Sequence, residues 1–159
     1  MFEAYLDIET TGLSSFNNYI TVIGIYLVAG GRAKVVQLVD KEVTRQNLLA
    51  NMEDVHTIYT YNGRRFDLPF INYYLGVDLN ERCKHHDLMY DCWRCNLRGG
   101  FKAVEAQLGI PRKLKGVDGY EAVLLWRQYK NNGDHRALKR LLRYNQEDVV
   151  NLKALRERL

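Results

Sequence analysis

The first forty residues carry apolar and polar side chains in period 2. A predicted strand over Phe2–Glu9 places Phe2, Ala4, Leu6 and Ile8 on one face, and Glu3, Tyr5, Asp7 and Glu9 on a second face that either meets water or carries a site. Tyr19–Val28, rich in β-branched and aromatic residues, predicts a second strand, and Gly30-Gly31 a tight turn into a third over Ala33–Val39. Three strands joined by short connections imply an antiparallel meander. Beyond it the period changes. Thr44 stands where it would cap a short helix ending at Met52, and His56–Tyr61 reads as a strand stopped by Asn62-Gly63. Asp67 is placed to cap a helix whose apolar residues are Leu68, Phe70, Ile71 and Leu75, and Cys83–Asp87 reads as a last short strand. From Leu88 onward the pattern is helical: to about Leu97, over Phe101–Leu108, from Gly119 to Tyr129, and from Asp134 toward the C-terminus. A meander followed by strand–helix units predicts an α/β fold, a mixed sheet flanked by helices, as one domain over residues 1–159.

Composition narrows the class. At 159 residues, 47% hydrophobic and 26% charged, the chain can bury one sizeable core. No run approaches the roughly 18 apolar residues of a membrane span, and the N-terminus lacks a secretory pattern, so no membrane partner and a cytoplasmic location are expected. Three cysteines are too few for a disulfide scaffold. Cys92 and Cys95 form one CxxC near Cys83, His85 and His86, but the spacing matches no standard zinc module and reads first as reduced structural thiols. The net charge of +4 is unevenly spread: residues 1–80 carry 6 basic against 9 acidic side chains, and residues 81–159 carry 17 against 10. A basic second half could flank an acidic site with phosphate-binding charge. The basic loop Pro111–Gly116 reads as a mobile, solvated connector in preference to a phosphate contact.

Carboxylates stand where the pattern calls for something else. On a strand, Asp7 and Glu9 share a face roughly 7 Å apart, a conflict that a proton, water or a divalent cation relieves. In the last helix, Leu138, Leu141, Leu142, Asn145, Val149 and Leu152 trace a core-facing stripe, and Asp148 falls on or beside it, with Tyr144 one turn earlier. Asp67 follows a strand end, the kind of strand-to-helix crossing where α/β proteins place ligands. Three separated segments thus each deliver an acidic group to an element end or to an apolar face.

These segments carry a resemblance. Asp7-Ile8-Glu9-Thr10-Thr11-Gly12-Leu13, then Tyr61-Asn62-Gly63-Arg64-Arg65-Phe66-Asp67, then Tyr144-Asn145-Gln146-Glu147-Asp148 resemble the three exonuclease motifs of the DEDD group in the ribonuclease-H-like superfamily. A tyrosine four residues before the last aspartate resembles the DEDDy subgroup, and the Asp87-Leu88 and Val104-Glu105 to Gly109 patterns resemble the YprB-type family within it. The resemblance implies a ribonuclease-H-like fold and a metal-dependent 3′→5′ exonuclease that releases nucleoside monophosphates with two divalent ions, Mg²⁺ or Mn²⁺. It implies Asp7, Glu9, Asp67 and Asp148 as metal ligands and Tyr144 as the residue that orients the attacking water. Thr10, Thr11, Gly12, Leu13, Asn62 and Phe66 are implied as contacts to the terminal nucleotide. The partner expected is a nucleic acid with a 3′ end, single-stranded at the site, with a further protein as a candidate for substrate delivery. A structure-selective endonuclease and an inactive nucleic-acid-binding or scaffolding module on the same fold are the alternative readings.

Overall fold

A computed structural model describes residues 1–159. Five strands form one sheet: β1 (Phe2–Thr10), β2 (Ile20–Ala29), β3 (Arg32–Val39), β4 (Val55–Thr60) and β5 (Lys84–Asp87), in the order β3-β2-β1-β4-β5. The expected meander is present, β1 pairing antiparallel with β2 and β2 with β3, while β4 joins β1 in parallel and β5 joins β4 in parallel. The helices are α1 (Arg45–Met52), α2 (Asp67–Leu75), α3 (Leu88–Arg94), α4 (Phe101–Leu108), α5 (Gly119–Asn132) and α6 (His135–Arg158). No helix is long and apolar enough to cross a membrane.

Both faces of the sheet are covered. On one, Ala4, Leu6 and Ile8 of β1 and Ile23, Ile25 and Leu27 of β2 pack against Leu48 and Met52 of α1 and Leu68, Phe70 and Ile71 of α2 in the largest core cluster. Of the two readings of the second face of β1, the wet one does not hold: α6 crosses it, so Tyr5 is buried, stacked on Tyr59 with centroids 5.1 Å apart and bonded by Arg156 at 2.8 Å. The period-2 pattern of β1 could not report this, because its second face carries polar groups that the fold encloses.

Two apolar clusters lie under α6. Near its start, Leu141 and Tyr144 pack with Val22 and with Ala122, Leu125 and Trp126 of α5; near its end, Leu152 and Leu155 pack with Tyr5, Tyr59, Leu88 and Val104. Between them the helix buries Asn145 and Asp148 against the middle of β1. The buried stripe of α6 takes in Leu141, Asn145, Val149 and Leu152 as expected, together with Ala137, Tyr144, Asp148 and Leu155, while Leu138 and Leu142 lie at its edge.

Contact between α6 and the sheet depends on Gly24 of β2, which lies opposite Asp7 in the ladder. A Cβ there would fall 2.1 Å from Oδ1 of Asn145. Gly24→Ala is expected to destabilise the fold by about 1–3 kcal/mol in urea unfolding, as overpacking of an interior does. Adding Asn145→Ala should recover part of that loss; a double variant less stable than the summed single effects would contradict the close approach as its cause.

Candidate active site

The site is built where the parallel pairing of β1 with β4 has ended. The last paired residues are Tyr5 and Tyr59, and beyond them the chain of β4 turns away through Asn62, whose backbone is left-handed (φ 62°). Asp87 holds this turn: its carboxylate accepts the N–H groups of Asn62 (2.8 Å) and Arg64 (3.1 Å) and caps α3 through Met89 N (3.1 Å). The turn delivers Asp67 as the first residue of α2. It does not cap that helix, as its position in the sequence suggested, because Phe66 occupies the cap position without a side-chain bond. Its Oδ2 instead accepts the N–H of Ile8 at 3.0 Å, beyond the residues of β1 that β4 pairs.

Asp7 and Glu9 from β1 and Asp148 from α6 converge, each offering an oxygen within 4.8 Å of the others. Asp67 stands outside that trio, close enough for its charge to act on Asp7. Confinement of like charges sets the chemistry. Burial, then the charge of Asp148, raises Glu9 from an ordinary 4.5 to about 8. Burial, followed by Asp148, Glu9 and Asp67, holds Asp7 well above 3.8. Asp67 rises to about 7 by burial, even though the Ile8 N–H stabilises its charged form. Asp7 and Glu9, both held above their ordinary values beside Asp148, are hard oxygen donors whose charged forms a cation would favour, and the trio is a donor set that fits Mg²⁺ or Mn²⁺.

Neighbouring side chains hold the carboxylates in place. The buried Asn145 amide nitrogen lies 3.2 Å from the Asp7 carbonyl, and 3.4 Å from both Oδ2 of Asp7 and Oε1 of Glu9. Its Oδ1 accepts from Gln37 at 3.1 Å, which fixes the amide orientation. Arg112 pairs with Asp148 and, at 2.9 Å, with Glu105, and Asn151 bonds the same Glu105. Burial works against the charge of Arg112, but Asp148 and Glu105 outweigh it and keep the guanidinium protonated.

Arg112 also corrects the reading of its loop. The Pro111–Gly116 segment is tied to α6, since the N–H groups of Lys113 and Leu114 donate to Glu147 at 3.0 and 2.8 Å. Tyr144 is equally embedded, 4% exposed, and its hydroxyl accepts from Lys102, whose ammonium lies 4.4 Å from the ring centre. Burial, with the charges of Asp148, Glu9 and Asp7, keeps that phenol protonated.

Asp7, Glu9, Tyr144 and Asp148 line a cleft of about 590 Å³. Of the residues expected to contact substrate, Thr10, Thr11, Gly12, Leu13 and Phe66 line it too, with Leu13 87% exposed at its mouth. Asn62 does not line it and contributes to the turn behind. The strip at Thr10–Leu13 is fixed by its own bonds, Thr10 Oγ1 to the Gly12 carbonyl (2.7 Å) and Thr11 Oγ1 to Asn18 (2.9 Å). A Cβ at Gly12 would lie 2.6 Å from Asn18 Oδ1, so a side chain there would displace Asn18 from its bond with Thr11. The cleft is also lined by Tyr61, the first residue of the second motif, and by Phe101, Lys102, Tyr120 and Arg127. These last four were not foreseen, because they lie in segments whose helical pattern carries no mark of a site.

The cysteines and histidines form no second centre. Cys92 is buried and Cys95 exposed, His85 meets Thr60 at 2.8 Å, His86 pairs with Asp91, and the acidic trio is the one group able to share an ion.

The sequence model of the RNase_H superfamily matches residues 4–159. The uncharacterized protein YprB of Bacillus subtilis (strain 168) is 30% identical over 166 aligned positions, which cover 95% of this chain and 40% of YprB. Among solved structures, the family B DNA polymerase of the archaeon Pyrobaculum calidifontis superposes with a TM-score of 0.78 at 18% identity, over all of this chain and 24% of the polymerase. Brucella melitensis NrnC superposes with a TM-score of 0.58 at 22% identity, over 99% of this chain and 73% of NrnC. The chain thus spans well under half the length of YprB and of the polymerase.

The raised carboxylates make the metal-free fold pH-dependent in a defined direction. Between about 4.5 and 8 the folded chain keeps a proton on Glu9 that the unfolded chain has released, so stability falls as pH rises through that window. In EDTA, the melting temperature should drop from about pH 5 to pH 8 by more in the wild type than in Glu9→Gln, and Mg²⁺ should restore more of it at the higher pH. Equal slopes for the two proteins would contradict this electrostatic account.

Proposed function

This chain belongs to the RNase_H superfamily, and we propose that it is a metal-dependent 3′→5′ exonuclease of the DEDDy kind. The observation that carries the reading is the convergence of Asp7, Glu9 and Asp148 within 4.8 Å in a cleft also lined by aromatic and basic side chains. NrnC, on the same fold, has been solved with bound Mg²⁺ and with pGG. The proposal carries a divalent ion and an oligonucleotide end over to this chain.

Asp7, Glu9 and Asp148, with Asp67 behind them, would hold two divalent ions, Mg²⁺ or Mn²⁺, whose charge supplies Lewis-acid stabilisation to the attacking water and the leaving oxygen. The chain's own residues then perform the rest. Tyr144 holds the attacking water: its hydroxyl accepts from Lys102, which leaves its own proton free to donate to the water oxygen. Since that phenol stays protonated, it positions the nucleophile and does not take its proton. Water oxygen bonds to phosphorus as the bond from phosphorus to the preceding nucleotide's 3′ oxygen breaks; the proton the water loses passes to solvent, the departing 3′ oxygen takes one from solvent, and a nucleoside monophosphate leaves. Leu13 and Phe66 pack against the terminal base, and Thr10, Thr11 and Gly12 let the sugar-phosphate approach the backbone of β1. The substrate on this reading is single-stranded at the site.

The test is to incubate the protein with end-labelled DNA and RNA, single- and double-stranded, in Mg²⁺, Mn²⁺ or EDTA. Shortening from the 3′ end that needs metal and is abolished in Asp7→Asn is the expected result. Tyr144→Phe should lower kcat by about tenfold or more while the metal concentration for half-maximal rate stays the same. Internal cuts in circular substrate would replace the exonuclease with an endonuclease, and binding without cleavage of any substrate would remove the enzyme.

A further inference from the structure

Away from the acidic trio, the most ordered group of charged side chains lies on the outer side of the loop between β4 and α2. Arg64 and Arg65 each stand 5.9 Å from the centre of the Tyr90 ring. Arg65 also stands 5.6 Å from Trp93, and Arg98 stands 6.0 Å from that same ring. The two rings meet edge to face at 5.2 Å. Three guanidinium groups and two rings, from the β4–α2 loop, from α3 and from the α3–α4 loop, therefore form one continuous array.

All three arginines are exposed, and no ion pair in the structure involves them. The nearby Asp91 is already engaged by His86 and Arg94. Asp87 is turned inward onto backbone N–H groups, among them that of Arg64. The array thus presents three unneutralised charges. An aromatic neighbour restrains each guanidinium plane and leaves its fork of N–H donors free for a phosphate or carboxylate.

Placement separates the two classes of anion. Tyr61 and Phe66 flank the loop that carries Arg64 and Arg65, and both line the cleft. On the other side, Tyr61 stacks on Phe101 of the cleft wall at 5.3 Å and donates its hydroxyl proton to the carbonyl of Gly99, beside Arg98, at 2.7 Å. The array is anchored to the cleft wall at both ends. We infer that it is a docking surface for the phosphate backbone of a polynucleotide whose end occupies the cleft. Its aromatic faces are engaged by guanidinium groups, so it reads phosphates and carries no base preference. The inference rests on the nuclease reading for what fills the cleft, and its test measures binding alone.

Fluorescence anisotropy in EDTA with labelled single strands of about 20 and about 3 nucleotides reads the surface directly. The wild type should bind the long strand about tenfold more tightly than the short one. Arg65→Gln/Arg98→Gln should weaken the long strand about tenfold at low salt and leave the short one unchanged. Its slope of log affinity against log salt should fall by about 1.4, two contacts at about 0.7 each for single strands. Arg65→Lys/Arg98→Lys, which keeps charge without the fork, should restore most of the slope and less of the affinity. A thermal melt at the wild-type temperature establishes that each variant is folded.

Unchanged affinity and slope for the long strand in the glutamine variant would overturn the proposal. Equal losses for both lengths would also overturn it, by placing the arginines within the cleft. Poly-glutamate of matched charge binding as tightly as the strand would assign the surface to acidic protein instead. A protein that binds long strands through the array yet cleaves nothing would lose the nuclease reading and keep this surface. One that cleaves strand ends while the glutamine variant binds long strands normally would do the reverse.

Discussion

Repulsion among buried carboxylates is the constraint on which the rest of this structure turns. Asp7, Glu9, Asp67 and Asp148 are brought together by a strand, a helix start and the middle of a 24-residue helix; Glu9, Asp67 and Asp148 are buried and Asp7 half-buried, which leaves little water to screen them. Such an arrangement is costly unless cations, hydrogen-bond donors or protons answer the charge. Arg112 answers at Asp148, Asn145 at Asp7 and Glu9, and the Ile8 N–H at Asp67. What remains unanswered is the charge that would hold a metal.

The scaffold makes this confinement tolerable by separating it from the apolar packing. Two hydrophobic clusters grip α6 on either side of Asn145 and Asp148, so the polar seam is held by cores that do not include it. Each supporting side chain is itself held: Asn145 by Gln37, Arg112 by Glu105, and Glu105 by Asn151. These outer contacts orient the acidic oxygens before any ligand arrives, the condition under which a site gains from preorganisation. The same economy is visible in Asp87, which fixes the turn that aims Asp67 and the loop that carries Arg64 and Arg65.

Much of this was legible in the chain, for physical reasons that can be named. Strands with period 2 and Gly30-Gly31 gave away the meander, and an aspartate in an apolar helical stripe marked Asp148, because local spacing decides both. Contacts between distant segments were not legible. Asp67 looked like a helix cap because a cap is recognised by position, whereas its actual partner, Ile8 N, lies 59 residues away. Asn145 read as one member of a core stripe, and nothing local says that its amide reaches two carboxylates through the space left by Gly24. Arg112 sat in a basic loop indistinguishable from a solvated connector. The second face of β1 could be read as wet because enclosed polar groups and exposed ones leave the same alternation.

On the proposed reading these carboxylates are a divalent-metal site kept partly protonated until it is filled. Isothermal titration of Mn²⁺ into the protein near pH 7, in two buffers of different ionisation enthalpy, measures bound metal and displaced protons together. Saturable binding with release of about one proton or more is expected, since Glu9 rises to about 8 and Asp7 is raised as well. In Asp7→Asn both signals should collapse. Binding without proton release, or Mn²⁺ affinity unchanged in that variant, would contradict this reading.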